Sequence, residues 1–265
     1  MNLNLAQSTA VRAAQEVGAL MRRHLHSPKR ANSTTQHDIK LELDVRSQAL
    51  IEKRLRSTFP DVAILGEEGV TGDVSAGYRW VVDPIDGTVN FAYGIPHACV
   101  SIAFQGRAEG AGPADYADGY NSLLGVVYDP FADELWTAVR GRAAKLNGKT
   151  IRVSQRRKLS EAVVSIGFTK TRESLEATLP YFNKLVHRVR KIRMMGAAAL
   201  GLTYVACGRF DAYIEREVRI WDIAAGGLII ECAGGEFWRR ALPGEHRYRA
   251  TASNGLLRRT LRVPR

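Results

Sequence analysis

The sequence predicts a layered α/β protein, an α+β arrangement in which strands and helices alternate. Short apolar runs that stop at carboxylates, Val62-Ala63-Ile64-Leu65 and Trp80-Val81-Val82, read as buried strands. Amphipathic stretches between and after them repeat apolar residues at helical spacing. The bulk numbers agree: of 265 residues, 45% are hydrophobic and 25% charged, which is ordinary for a globular chain with a sizeable core.

Residues 1–26 read as an amphipathic helix, with Ala10, Val11, Ala14, Val17 and Met21 on one stripe. Arg12 and Glu16 interrupt any apolar run there, so a signal peptide is not expected. No stretch reaches the ~20 apolar residues of a membrane span. Pro28 and Asn32-Ser33-Thr34-Thr35-Gln36 make a loop before Asp38 and Asp44. A helix is predicted from about Val45 to Ser57, closed by Phe59-Pro60-Asp61. Asp44 fits the N-cap of that helix, and spacing alone does not decide whether it also serves a site.

Val62 to Leu65 delivers Gly66-Glu67-Glu68-Gly69 at its end, an exposed acidic turn on the plainest reading. Adjacent glutamates on an extended chain point to opposite sides, so one of them can face a site. Strand Tyr78 to Val82 then runs into Asp83-Pro84-Ile85-Asp86-Gly87-Thr88-Val89-Asn90-Phe91. Asp-Pro and Asp-Gly are common turn dipeptides. Yet two acids across a proline-pinned turn repel when buried unless a cation lies between them. Gly87 and Thr88 add backbone N–H groups and a hydroxyl, a pattern that suits a metal ion beside a phosphate.

Ala98 to Phe104 reads as a strand, and Gly106 to Asn121 as a loop. Leu123–Tyr128 and Glu134–Val139 pair around Asp129-Pro130, and Asn147-Gly148 signals a hairpin before Ile151-Arg152-Val153. A boundary is expected near the basic run Arg156-Arg157-Lys158, dividing the chain into halves 1–155 and 156–265. The second half opens on Ala162 to Ile166, a strand of the parallel kind. A helix over about Leu175 to Arg188 carries Leu175, Leu179, Phe182 and Leu185 on one stripe. Val189 to Met194 is a strand, Gly196 opens Ala197-Ala198-Ala199, and a helix through Leu200, Tyr204 and Val205 ends at Gly208. Strand Asp211 to Glu215 precedes Trp221-Asp222 and an apolar helix, Ile223 to Cys232, with Asp222 in the N-cap position.

Cys99, Cys207 and Cys232 are odd in number and set in apolar sequence, as free thiols of a reducing cytoplasm would be. The formal charge of +11 suits solvated faces and attraction of anionic substrates. A nucleic-acid partner is less favoured, because no aromatic residues interleave with the basic runs at Gln155–Lys158, His187–Arg193 and Arg258–Arg265.

Taken together, Gly66-Glu67-Glu68, Asp83 to Phe91, Asn147-Gly148 and Trp221-Asp222-Ile223-Ala224-Ala225-Gly226 make the chain resemble the inositol monophosphatase family of lithium-sensitive sugar phosphatases. The resemblance spans nearly the whole chain. It implies an αβαβα sandwich, usually a homodimer, that hydrolyses a small polyol or sugar phosphomonoester with two or three Mg²⁺ ions. It implies that Glu67, Asp83 and the Ile85 carbonyl hold one metal, and that Asp83, Asp86 and Asp222 hold a second. Asp44 matches an acid that reaches a further metal through water. Thr88 and Glu67 match the groups that orient and deprotonate the attacking water, and the Gly87 and Thr88 amides match the phosphate cradle. Glu215 and Ala198 match substrate contacts. Most ligands thus belong to the first half, with Asp222 and the substrate wall in the second.

Mg²⁺ prefers such hard oxygen donors. Ser33 stands where the family often has lysine, Gly196-Ala197-Ala198-Ala199 lacks a common hydroxyl, and the loop after Gly106 is long. Bisphosphate nucleotidase, fructose-1,6-bisphosphatase and histidinol-phosphatase activities are the alternatives, with a second role on RNA or the transcription machinery as in some bacterial relatives. Val89-Asn90-Phe91 after Thr88, in place of the Lys-Glu typical of nucleotidases, favours the inositol type.

Overall fold

The computed structural model describes residues 1–34, 39–108, 115–168 and 172–263. Asp38, Thr35 and Gln36 lie outside them, as does part of the long loop after Gly106. Helix α1 (Leu3–His24) is capped by Asn2, whose side-chain oxygen accepts the Asn4 and Leu5 N–H groups. A ribbon of β1 (Ala31–Thr34) and β2 (Ile39–Leu41) leads to α2 (Glu42–Arg56). Then come β3 (Ala63–Gly66), β4 (Gly69–Thr71), β5 (Tyr78–Asp86), the short α3 (Thr88–Ala92) and β6 (Cys99–Arg107). Strands β7 (Tyr120–Asp129), β8 (Glu134–Val139), β9 (Lys145–Leu146) and β10 (Lys149–Thr150) complete an eight-stranded sheet in the order β10-β9-β8-β7-β6-β5-β3-β4.

The second half contributes β11 (Val163–Ile166), α4 (Arg172–Val186), β12 (Lys191–Arg193), α5 (Ala198–Ala206) and β13 (Ala212–Arg219). It ends with α6 (Ile220–Cys232), β14 (Glu236–Ala241), β15 (Arg247–Ser253) and α7 (Arg258–Leu261). Its five-stranded sheet has the order β12-β11-β13-β15-β14, and β11 lies parallel to both neighbours.

Five layers follow from which side chains share a core. Trp80 and Val82 of β5, Ile102 and Phe104 of β6, and Leu124 and Val126 of β7 pack against α1 and α2. Their in-between neighbours Val81, Ala103 and Val127 face the opposite way, into a core shared with α5, α6 and the five-stranded sheet. A third cluster joins α4 and α7 to the far side of β11 and β13. The αβαβα order is therefore read directly from the period-two alternation of strands buried on both faces.

Helix α6 sits between the two sheets, so it is apolar all round. Each of its buried isoleucines contributes roughly 1.5–3 kcal/mol. Small residues let it fit. A Cβ on Gly125 of β7 would lie 2.7 Å from the Ala225 carbonyl oxygen, and one on Gly226 would lie 2.8 Å from Leu202 of α5.

The structure corrects several local expectations. Helix α2 begins at Glu42, with Leu41 as N-cap and Asp44 in its first turn. Helix α6 likewise begins at Ile220, with Arg219 as N-cap. The Asn147-Gly148 turn joins only two-residue strands, because residues 151–153 turn away to bond Ala144 and Ala233. Strands β6 and β7 extend into the region read as loop, to Arg107 and from Tyr120. On α4 the buried positions are Thr178, Tyr181 and Leu185, so of the anticipated stripe Leu185 is buried in the core and the half-buried Phe182 packs against it, while Leu175 and Leu179 do not. Strands β14 and β15 were not anticipated, because Arg239 and Arg240 of β14 and Arg247 and Arg249 of β15 leave few apolar residues in either run.

Gly125→Val is expected to push α6 off the eight-stranded sheet. It should cost about 1–3 kcal/mol, measured by denaturant unfolding.

Candidate active site

The site is assembled at the ends of β3 and β5 and the starts of α5 and α6. Strands β3 and β5 run parallel with Gly66 beside Val82, and the Glu67 N–H donates to the Val82 carbonyl at 3.1 Å. Glu67 and Asp83 therefore leave neighbouring strands at the same level. Gln48 of α2 fixes the turn: its Oε1 accepts the Glu68 N–H at 2.8 Å, and its Nε2 donates to the Gly69 carbonyl at 3.1 Å. By alternation along β5, Asp83 faces the same side as Val81, towards α6.

Pro84 has no N–H to give the ladder, and the β5–β6 register shifts between Asp83 and Asp86. Asp83 Oδ1 accepts the Ile85 N–H at 3.0 Å. The simple Asx-type turn is thus present, and it serves to aim two carboxylates at one place. Gly87 has φ 91, and a Cβ there would lie 2.9 Å from the His97 carbonyl oxygen. Thr88 opens α3, and its hydroxyl donates to the Ile85 carbonyl at 2.8 Å.

Asp86 is held from the second half of the chain. Its Oδ1 accepts the Ala198 N–H at 3.1 Å and its Oδ2 the Ala199 N–H at 2.7 Å, the first two residues of α5. The Cys99 thiol lies 3.6 Å from Oδ2 as a further, weak donor. Asn90 reinforces the junction by donating to the carbonyls of His97 and Met195, at 2.9 and 2.8 Å.

Asp222 is the third residue of α6 and accepts the Arg219 N–H at 2.7 Å. Asp44 does the same in α2, accepting the Leu41 N–H at 2.7 Å. Ser101 lies opposite Asp83 on β6 and donates to the Trp221 carbonyl at 3.1 Å, which sets Asp222 against the strand ends. Oxygen atoms of Asp83, Asp86 and Asp222 all lie within 4.8 Å of one another.

The electrostatics follow from that convergence. Burial raises the Asp83 carboxyl well above its ordinary range, and Glu67, Asp86, Asp222 and Asp44 push it further in the same direction. Asp86 rises to about 6, chiefly by burial, while the Ala199 and Ala198 N–H groups and the Cys99 thiol partly offset the rise. Among the described residues lining the cleft, none is a lysine or arginine. Clustered oxygen donors without a basic counter-ion fit a hard divalent cation such as Mg²⁺. The Ile85 carbonyl has a second lone pair beyond the one used by Thr88.

The cleft holds about 720 Å³. Glu67, Asp83, Ile85, Asp86, Gly87, Thr88, Ala198, Glu215 and Asp222 all line it; Asp44 is buried and does not. The Ala198 N–H is taken by Asp86, and Glu215 accepts a hydrogen bond from the Tyr213 hydroxyl. The opposite wall is apolar, built from Phe168, Leu175, Leu179, Phe182, Met194 and Met195. Sequence reasoning assigned three of these to a core stripe. It also missed Ser165, Tyr213 and the Cys99 donor. Ser165 lies one residue before the end of an apolar parallel strand, where sites tend to form, and that was its one available signal.

The model of the inositol monophosphatase family matches residues 3–255. Over 235 residues the chain is 38% identical to a protein of Xylella fastidiosa named Nus factor SuhB, covering 87% of this chain and 80% of that one. It is 37% identical to inositol monophosphatase 2 of Solanum lycopersicum, covering 85% and 84%. Among solved structures, the extragenic suppressor protein suhB of Bartonella henselae superposes with a TM-score of 0.84 at 31% identity, covering 97% of this chain and 96% of that one. An inositol monophosphatase from Anabaena gives 0.82 at 32% identity, covering 98% and 95%.

The metal-free protein should be less stable at neutral than at mildly acidic pH. An acid whose folded pKa is raised binds its proton more tightly when folded, so stability falls as pH climbs from about 4 through about 6 and stays low above. Melting temperatures without metal should drop across that window, and Mg²⁺ should restore them. Asp83→Asn should raise the metal-free melting temperature at pH 7.5. Asp86→Asn should lower it, because one amide N–H of α5 loses its acceptor.

Proposed function

The chain belongs to the inositol monophosphatase family and is a metal-dependent phosphatase; from that premise we propose that it hydrolyses a small polyol or sugar phosphomonoester using two or three Mg²⁺ ions. The observation that carries the reading is the meeting of Asp83, Asp86 and Asp222 in a cleft that Glu67 also lines. When bound, the cations supply the positive charge that offsets the phosphoryl oxygens and makes water more acidic. Glu67, Asp83 and the Ile85 carbonyl would hold one cation, and Asp83, Asp86 and Asp222 would hold another. Asp44, buried and near enough to act electrostatically on Asp83, would add negative charge for a further, loosely held ion.

The chain's own groups do the rest. The Thr88 hydroxyl spends its proton on the Ile85 carbonyl, so its lone pairs are left to accept a hydrogen bond from the attacking water. Glu67 takes the water's proton as the oxygen attacks phosphorus in line. The Gly87 and Thr88 N–H groups receive phosphate oxygens. Glu215 faces the hydroxyls of the leaving alcohol, and Ala198 contributes wall rather than a donor.

We also propose that the chain divides near residue 155 into two halves and forms a cytoplasmic homodimer. Free cysteines and the lack, among the described residues, of a helix long and apolar enough to cross a membrane support the compartment. Tyr93, Ile95 and Met194 are 74%, 49% and 64% exposed, and the Asn90 bonds bring their two segments together. Apolar side chains so exposed suit a covered face.

In a phosphate-release panel, inositol 1-phosphate and similar polyol phosphates should be turned over with Mg²⁺, with inhibition by Li⁺. Turnover of a bisphosphate nucleotide, fructose 1,6-bisphosphate or histidinol phosphate in their place would overturn the substrate assignment. Asp83→Asn and Asp222→Asn should each abolish activity while leaving the far-ultraviolet circular dichroism unchanged. For the dimer, light scattering should show two copies for the wild type and one for Ile95→Asp with Met194→Asp; a wild-type monomer at micromolar concentration would remove it.

A further inference from the structure

We propose that the outer face of the five-stranded sheet, with the groove beside it, binds single-stranded nucleic acid. The groove lies between the second half of α4, β13 and the end of α7. It holds about 680 Å³ and is lined by Lys184, Arg188, Arg216 and Arg262 around Tyr181 and Pro180. Arg188 donates to the Thr260 carbonyl at 2.8 Å, and Arg216 to the Ala177 carbonyl at 3.2 Å. Carbonyls orient these guanidinium groups but do not neutralise them. Among the described residues, Lys184, Arg188, Arg216, Arg240 and Arg262 form no ion pair.

The positive surface continues across the sheet. Arg240 of β14 stands directly opposite Arg249 of β15, and Arg249 shares a small cavity with Arg216. Like charges directly opposite one another destabilise a sheet. Arginine on an edge strand guards against strand addition, but β13 and β15 are interior strands, so that purpose does not account for Arg216 and Arg249. Burial, then Arg216 and Arg240, hold the Arg249 pKa below the ordinary guanidinium value. Arg216 and Arg240, which form no ion pair among the described residues, flank Arg249, and like charges set so close are ones that an outside anion would relieve.

Trp238 identifies the anion's class. It lies two residues before Arg240 on the same face of β14, opposite Thr251, and is 42% exposed. An exposed indole beside unneutralised guanidinium groups is what stacking on a base and contact with phosphates both require. The primary structure hides this, because Arg216, Trp238, Arg240 and Arg249 lie outside the three basic runs. Strand β13 separates the face from the catalytic cleft: Tyr213 lines the cleft, while Ile214 packs in the outer core and Arg216 lines the groove.

The test is fluorescence anisotropy of a labelled oligouridine titrated with the full-length protein across a range of salt. The wild type should bind with strong salt dependence. Arg216→Gln with Arg240→Gln should raise the Kd roughly tenfold near 0.1 M salt and lower the salt slope by about 0.7 per arginine. Trp238→Ala should weaken binding with no change in slope. Lys53→Gln with Arg56→Gln, on α2 in the opposite outer layer, should leave binding intact. Each variant should retain wild-type phosphatase activity, which reports its folding. Absence of binding at low salt, or equal losses from the α2 pair, would overturn the proposal. So would displacement of the oligouridine by polyglutamate as readily as by unlabelled RNA, which would mark the face as one for acidic proteins.

Discussion

Carboxylates forced together out of water are the condition that the rest of this structure answers to. Asp83 and Asp86 are buried, and Glu67 and Asp222 border the same cleft. Each burial disfavours ionisation, and each neighbour adds to the penalty. Without a cation the cluster works against folding, and the lining offers no basic side chain among the described residues to relieve it. The same repulsion favours a cation placed among them. Binding and stability are therefore opposed in the metal-free chain and aligned in the loaded one.

The fold holds the acids in place through contacts that tie distant segments together. Asp86 accepts two backbone N–H groups at the start of α5, over a hundred residues later, so the motif that opens the site also caps a helix of the second half. Asp222 arrives on α6, whose position depends on Gly125 and Ala225 in contact and on Gly226 against Leu202. Ser101 then couples Trp221 to the strand beside Asp83. Each tie is modest alone, but a helix packed between two sheets can move only if several of them break. Positional accuracy at the site thus comes from the core, not from the loops around it.

The two helices whose first-turn acids were read as site residues share a local device. Asp44 and Asp222 each sit three residues after an N-cap with no capping side chain, and each turns back to accept that residue's N–H. A carboxylate near a helix N-terminus is favoured by the local field. In both cases the sequence suggested a helix start within three residues of the true one, with the acid itself as the cap. The error is physical: an acid at the cap and an acid in the first turn leave nearly the same pattern.

Much of the fold and of the candidate site was legible in the residue order. Buried strands ending in Glu67 and Asp83, the proline-pinned turn to Asp86, and the apolar helix after Asp222 were all readable, because burial, turn chemistry and periodicity act over a few residues. The stripe on α4 was misread in part, because Leu175 and Leu179 are apolar on either reading and only packing shows that they wall a cleft, with Phe182 between cleft and core. The role of Cys99, the hold of Ala198 and Ala199 on Asp86, and the arginines gathered around Trp238 were not readable at all. Each depends on chain segments far apart in sequence meeting in space. The sequence by itself determined the class of fold and the chemistry of the strand ends; the tertiary structure alone decided which groups face one another, because charge repulsion, metal affinity and surface potential depend on distance in space rather than on order along the chain.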